Sequence, residues 1–124
     1  AIRKSQATKV AQNIKTLASA IENAAYVNGT TTTTINNLTT IEDLGRDIDD
    51  ESYGIWYGID NQGNVKVAVF SADTADYTTA KTVVADLTTT IPVDDDFTGT
   101  TVQKLGLTNP VAPIISYWFD FDVY

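Results

Sequence analysis

The chain has 124 residues, enough for one domain with a buried core, and it contains no cysteine, histidine or methionine. Without cysteine and histidine it lacks disulfides, thiolates, the commonest general base and the commonest metal ligand. We therefore expect no enzyme activity, no catalytic residues and no cofactor. The net charge is −8, but the first 15 residues hold four of the eight basic residues and no acid, so they carry +4 and the remainder −12. Such an acidic body argues against nucleic acid as the main ligand.

Residues 1–28 predict one long amphipathic helix. Apolar residues recur there in steps of three and four, which is the period of one helical face. The residues expected to pack on a sheet are Val10, Ile14, Leu17 and Ile21. Asn28-Gly29 fits a left-handed cap at the end of this helix.

Residues 29–52 form a threonine-rich segment that we expect to be mainly an irregular connection, because threonine is β-branched and disfavours helix. A hairpin follows in the sheet region, residues 53–124. Apolar residues alternate on both sides of the turn Asp60-Asn61-Gln62-Gly63, at the odd positions from Tyr53 to Ile59 and from Val65 to Val69.

Residues 73–87 predict a second, shorter helix in which Ala75, Val83, Val84 and Leu87 face inward. Residues 88–99 are loop-like, and Leu105 and Leu107 indicate a short strand or turn. Residues 115–123 predict a strand with alternating faces. The expected fold is therefore a single α+β domain, with a long N-terminal helix on an antiparallel sheet of three or four strands and a second short helix.

The element order and the first 29 residues resemble type IV pilins and pseudopilins. The likeness is closest in AIRKSQATKVAQNIKTLASAIENAAYVNG, where a basic start is followed by small, polar and aliphatic residues in helical rhythm. Arg3-Lys4-Ser5-Gln6-Ala7 is similar to the part of a pilin helix just past its hydrophobic half. The family's leader, cleavage-site glycine and apolar half-helix do not occur in the sequence, so the resemblance implies that this is a soluble portion from which they have been removed.

The resemblance implies a structural subunit of a type IV pilus-like filament, with a major pilin favoured. It also implies that the missing segment anchors the subunit in the inner membrane before assembly, and that identical or related subunits are the partners in a filament at the cell surface. Arg3, Lys4 and Lys9 are then expected at a membrane-proximal or subunit contact, against the acidic body of a neighbour. The alternatives are a pseudopilin of a type II secretion system, and a minor pilin or adhesin with a ligand site in residues 30–52 or 88–113.

The sequence contains three clusters of acidic residues. Asp94, Asp95 and Asp96 carry oxygen ligands that suit Ca²⁺, and some pseudopilins bind calcium in this general region, but adjacent side chains of an extended segment point apart and a solvated loop is favoured. Residues 47–51 and the pair Asp120 and Asp122 show no sign of a catalytic cleft. The pair is expected to protect a sheet edge from unwanted pairing. Trp56 and Trp118 are expected on the sheet face away from the odd-numbered core residues, packed under a loop or the second helix.

Overall fold

The computed structural model describes residues 2–31, 34–36, 38, 41–45, 48, 51–72, 77–97, 101–111 and 114–123. Within these residues the elements are helix α1 (Ile2–Asn28), a 3-10 turn (Ile41–Asp43), strands β1 (Tyr53–Ile59) and β2 (Asn64–Ser71), helix α2 (Tyr77–Val83), a second 3-10 turn (Asp94–Phe97), and strands β3 (Gln103–Gly106) and β4 (Ile115–Asp122). The expected α+β class, with a long helix, a short helix and an antiparallel sheet, is confirmed.

The four strands form one antiparallel sheet in the order β3-β1-β2-β4. The β1–β2 hairpin lies in the middle, with Ile55 opposite Val69 and Tyr57 opposite Val67. Its turn is held by the Asp60 carboxylate, which accepts hydrogen bonds from the backbone N–H groups of Gln62 (2.8 Å) and Asn64 (2.9 Å). The short β3 and the longer β4 are left at the two edges of the sheet.

Helix α1 covers one face of the sheet from Ala7 to Ala25. Its buried residues are Ala7, Val10, Ala11, Ile14, Leu17, Ala18, Ile21 and Ala25. Val10, Ile14, Leu17 and Ile21 are fully buried in the same cluster as the odd-numbered residues of β1 and β2. The small alanine side chains permit close approach of the backbones. The helix ends where Gly29 adopts φ 76° and its N–H bonds the carbonyl of Ala25 at 3.0 Å.

Helix α2 packs beside α1 and is shorter than predicted. Of the predicted range 73–87, residues 73–76 lie outside the described residues and the helix ends at Val83. Leu87 N–H then bonds the carbonyl of Val84, three residues back, which closes a turn in place of another helical turn. The prediction that Val83 faces inward is wrong: it is 43% exposed, while Ala80 and Leu87 are buried. Ala75 lies outside the described residues.

The opposite face of the sheet is covered by loops. A second cluster there contains Trp56, Ala68, Phe70, Phe97 and Ile114. This cover explains why every residue of β1 is buried, although its sequence alternates. The sheet therefore lies between a helix layer and a loop layer.

Tyr57 ties the threonine-rich connection to the core. Its hydroxyl oxygen accepts a hydrogen bond from the buried backbone N–H of Ile35 at 3.2 Å. Burial raises the pKa of the Tyr57 phenol above its ordinary value of 10.0, and the hydrogen bond from Ile35 opposes that rise. The folded state therefore holds the phenolic proton more tightly than the unfolded chain.

We expect Tyr57→Phe to lower the free energy of unfolding by about 1–3 kcal/mol near neutral pH, because the Ile35 N–H loses its acceptor in a buried site. Since the folded-state pKa is the raised one, the protonated phenol contributes full stability below the unfolded value, and this is lost as pH rises through the folded value. The difference between wild type and variant should therefore shrink above about pH 10. Urea denaturation at neutral and alkaline pH measures it, with Tyr26→Phe as an exposed control. A difference that stays constant would contradict the assignment.

Candidate interaction surface

The face of α1 that points away from the sheet is polar and basic. Its exposed residues include Lys9, Gln12, Lys15, Thr16, Ser19 and Asn23. Lys15, Thr16, Ser19, Ala20 and Asn23 line a shallow open groove of about 540 Å³. Of the three residues expected at a subunit contact, Lys9 is exposed on this helix. Arg3 and Lys4 lie in the first turn of the helix, and their side chains are not among the described parts of the structure. This face therefore combines exposed lysine and amide side chains with a shallow groove.

A row of aromatic rings borders this face along β4. Neighbouring centroids lie 5.6 Å apart for Tyr26 and Phe121, 5.9 Å for Phe121 and Phe119, and 5.5 Å for Phe119 and Tyr117. Lys15 closes the row, with its Nζ 4.7 Å from the Tyr117 ring centroid and 3.4 Å from the Tyr117 hydroxyl. Tyr117 and Phe119 are only partly buried, and Tyr26 is 56% exposed. Aromatic residues concentrate at protein–protein interfaces, so this row extends the candidate contact surface.

The alternating faces of β4 were predicted, but the contacts of its aromatic rings with Tyr26 and Lys15 of α1 were not. Tyr26 follows the last buried residue of α1 and gives no sign in the sequence that it reaches Phe121. The cue that the sequence does hold is the spacing of Tyr117, Phe119 and Phe121, which places three aromatic rings on one face of an edge strand.

The two tryptophans lie on the loop side of the sheet, as predicted, and the loop that covers them is the segment around Phe97 rather than α2. The Phe97 ring stacks on Trp118 at 6.0 Å and tilts against Trp56 at 6.4 Å. Trp56 is 5% exposed. Lys66 of β2 also contacts this loop. Its Nζ donates a hydrogen bond to the carbonyl oxygen of Asp96 at 2.7 Å and lies 5.8 Å from the centroid of the Trp118 ring. These tryptophans therefore hold a loop in place.

An open groove of about 400 Å³ lies beside this cluster. It is lined by Trp56, Lys104 and residues 91–95 and 108–110. The Lys104 ammonium lies 4.2 Å from the Trp56 ring centroid and 3.1 Å from the Asp94 carboxylate. No sequence pattern marked Lys104, although its place on the polar side of a predicted strand was a usable signal.

The acidic run at the groove is divided among different partners. Asp94 pairs with Lys104, whereas the carboxylate of Asp96 accepts a hydrogen bond from the Val93 N–H at 3.1 Å within its own turn. Within the part of the chain that the structure describes, no group of three or more acidic or histidine side chains is placed to hold a metal ion. Calcium binding by Asp94, Asp95 and Asp96 stays a prediction.

The other two acidic clusters lie apart from this run. Asp120 and Asp122 are exposed on the edge strand β4, where the Asn64 amide donates to Asp122 at 3.0 Å and to Asp120 at 3.5 Å. Of the cluster in residues 47–51, Glu51 is exposed, Ile48 is buried, and residues 47, 49 and 50 lie outside the described residues. Of the described members of these two clusters, Glu51, Asp120 and Asp122, none lines either of the two grooves.

Of the described helices, α1 included, none combines the length and the apolar character that crossing a bilayer requires. Comparisons of the chain with protein-family models, curated proteins and solved structures found no match.

Proposed function

We propose that this chain is the globular part of a filament subunit of the type IV pilin class, with a major pilin as the favoured role. The observation that carries the proposal is the two-sided character of α1. One face is buried along the sheet from Ala7 to Ala25, while the other is basic and polar and remains open next to an aromatic row. A helix that anchors a domain on one side and presents a long contact face on the other suits assembly with further copies.

Charge distribution supports contacts between copies. The acidic run Asp94–Asp96 lies on the sheet face opposite α1, so the exposed lysine Lys9 and this run cannot meet within one chain. Lys9 is therefore available to the acidic body of a neighbouring subunit. This role needs no catalytic residue and no cofactor, and it assigns none.

The proposal requires an apolar segment of about 20 residues before Ala1 that holds the subunit in the inner membrane before assembly. Reading the frame upstream of Ala1 tests it directly. An apolar stretch preceded by a short basic leader supports the proposal, and a frame without such a stretch would refute it.

We expect single charge reversals at the start of α1, Arg3→Glu or Lys4→Glu in the full-length protein, to reduce the yield of filaments. Each reversal replaces an attraction for the acidic body of the neighbour by a repulsion. Sheared filaments quantified against total subunit give the measurement. Lys81→Glu is the matched control, because it makes the same charge change at an exposed position on α2. Equal yields for all variants would remove Arg3 and Lys4 from the subunit contact.

A pseudopilin is the nearest alternative, and long extracellular filaments built from this chain would decide for a pilin. A minor pilin or adhesin is a second candidate, favoured by the groove at Trp56 and Lys104. Residues 91–95 and 108–110 of that groove fall in the segment 88–113, one of the two segments in which this alternative places a ligand site. Screening the chain against cell-surface glycans and peptides separates an adhesin from a purely structural subunit.

A further inference from the structure

The free side of β4 keeps backbone hydrogen-bonding groups available. Ser116 and Thr88 exchange both of their backbone bonds on the outer side of β4, at 2.9 and 2.8 Å. Since backbone groups alternate along an antiparallel strand, the groups of Trp118, Asp120 and Asp122 also point outward. In the described part of the chain, no strand pairs with the outer side of β4 beyond Ser116.

The outer side of β3, which is the other edge strand, follows the same alternation of backbone hydrogen-bonding groups. Leu107 N–H bonds the carbonyl of Tyr53 at 3.0 Å, which is an inward bond to β1. By the same alternation the backbone groups of Lys104 point outward, whereas Gly106, with φ 71°, departs from the extended conformation. Among the described residues, β1 is the strand that pairs with β3.

Lys104 on β3 and Asp120 on β4 carry opposite charges on the same side of the sheet, and the Lys104 ammonium also pairs with Asp94 of its own chain at 3.1 Å. Lys104 is opposite Trp56, Trp56 is opposite Ala68, and Ala68 is opposite Trp118, so one row of side chains runs across all four strands. Lys104 belongs to this loop-side face, and so does Asp120, two residues along β4 from Trp118. Lys104 and Asp120 are both exposed.

The strand directions also match. Strands β1 and β4 both run antiparallel to β2 and are therefore parallel to each other, whereas β3 runs antiparallel to β1. Consequently β3 is antiparallel to β4. Two copies placed side by side in the same orientation would join these edges as another antiparallel pair, and their helix layers and loop layers would continue from one copy to the next.

We propose that β3 of one copy adds to the free edge of β4 of a second copy, with Lys104 opposite Asp120 of that second copy. This register places Gly106 opposite Trp118, where the absence of a side chain leaves room for the indole. On the helix side it places Leu105 opposite Phe119, one of the partly buried rings of the aromatic row.

Pairing of like edges is disfavoured by the same charges. Two β4 edges would bring Asp120 and Asp122 of one copy against those of another, and like charges directly opposite each other destabilise a sheet. The contact is therefore head-to-tail, and a head-to-tail contact that does not close produces an open array. An interface of two short strands is weak between free chains. Its biological use rests on the filament role proposed above, in which neighbouring subunits are already held close together.

Cysteine pairing tests the contact on the chain alone, because the protein has no cysteine of its own. Positions 104 and 120 of one chain are separated by three strand spacings, roughly 14 Å, and by two residues along the strand, roughly 7 Å, which is too far for a disulfide. Across the proposed edge the two Cα atoms lie about 5.5 Å apart, within disulfide range. Lys104→Cys and Asp120→Cys proteins are mixed at high concentration and oxidised mildly, and covalent dimers are measured by mass.

We expect the mixed dimer to form about tenfold more readily than dimers of Lys104→Cys with Asn61→Cys, a control at an exposed position in the turn between the two central strands. Equal amounts of the two dimers would overturn the proposal and leave Asp120 and Asp122 with an edge-blocking role alone.

Charge exchange provides a second readout that needs no cysteine. Lys104→Glu or Asp120→Lys alone should weaken concentration-dependent association in sedimentation about fivefold. The double variant Lys104→Glu/Asp120→Lys should restore it, since each copy then presents the reversed pair. Failure of the double variant to recover association, with its circular dichroism spectrum unchanged, would also overturn the proposal. An upstream frame without an apolar segment would instead refute the filament role and leave this contact standing.

Discussion

Replacing Ile14 by alanine is expected to lower the free energy of unfolding by about 2–5 kcal/mol. Ile14 is fully buried at the middle of α1, within the cluster that joins the helix to the sheet. Truncation of this side chain removes apolar contacts between the helix and the sheet. It also leaves a cavity that the rigid sheet cannot close. Urea denaturation followed by far-UV circular dichroism measures the change.

Thr16→Ala is the matched control for this experiment. Thr16 lies two residues further along the same helix on the exposed face, so its truncation should change stability by no more than about 0.5 kcal/mol. If Ile14→Ala and Thr16→Ala had equal effects, the assignment of the buried face of α1 would be wrong.

Gly106→Ala is expected to cost about 2–5 kcal/mol, the sum of about 1–2 kcal/mol of backbone strain and about 1–3 kcal/mol of overpacking. Gly106 has φ 71°, a conformation that costs an L-residue about 1–2 kcal/mol. A Cβ at this position would also collide with the backbone carbonyl oxygen of Tyr53, and the paired strand cannot move away without losing its hydrogen bonds. Thermal and urea denaturation of the purified variant measure the loss.

Gly29→Ala isolates the first effect from the second. Gly29 has nearly the same φ, 76°, but the nearest atom to an added Cβ is Asn36 Nδ2 at 3.7 Å, an ordinary contact. Only the backbone strain of about 1–2 kcal/mol should then appear. A Gly106→Ala variant no less stable than Gly29→Ala would show that β3 shifts freely, and it would weaken the case for β3 as a defined edge.

The long helix and the central hairpin were predictable because their periodicities are strong. Apolar residues from Ala7 to Ala25 fit one helical face over five turns, and Tyr53 to Val69 alternate on both sides of a recognisable turn. The second helix was overestimated because its threonines and valines carry little propensity information, and its end depends on the turn that brings Leu87 into the core.

The candidate surface was predictable only in part. The basic start of α1 is visible in the sequence, and so is the alternation of Tyr117, Phe119 and Phe121. Three contacts were not predictable: Tyr26 with Phe121, Phe97 with Trp118, and Lys104 with Trp56. Each joins residues more than 20 positions apart, or residues of an irregular loop, where no period ties one position to another.

The sequence by itself determined the elements of this protein: a two-sided helix, a hairpin, an aromatic edge strand and an uneven distribution of charge. These follow from local periodicity and composition, which act over a few residues. The tertiary structure alone decided the strand order β3-β1-β2-β4, the loop layer over the tryptophans and the opposite charges of the two sheet edges. Those features depend on which distant segments bury each other's apolar faces, and that choice is made by the packing of the whole chain.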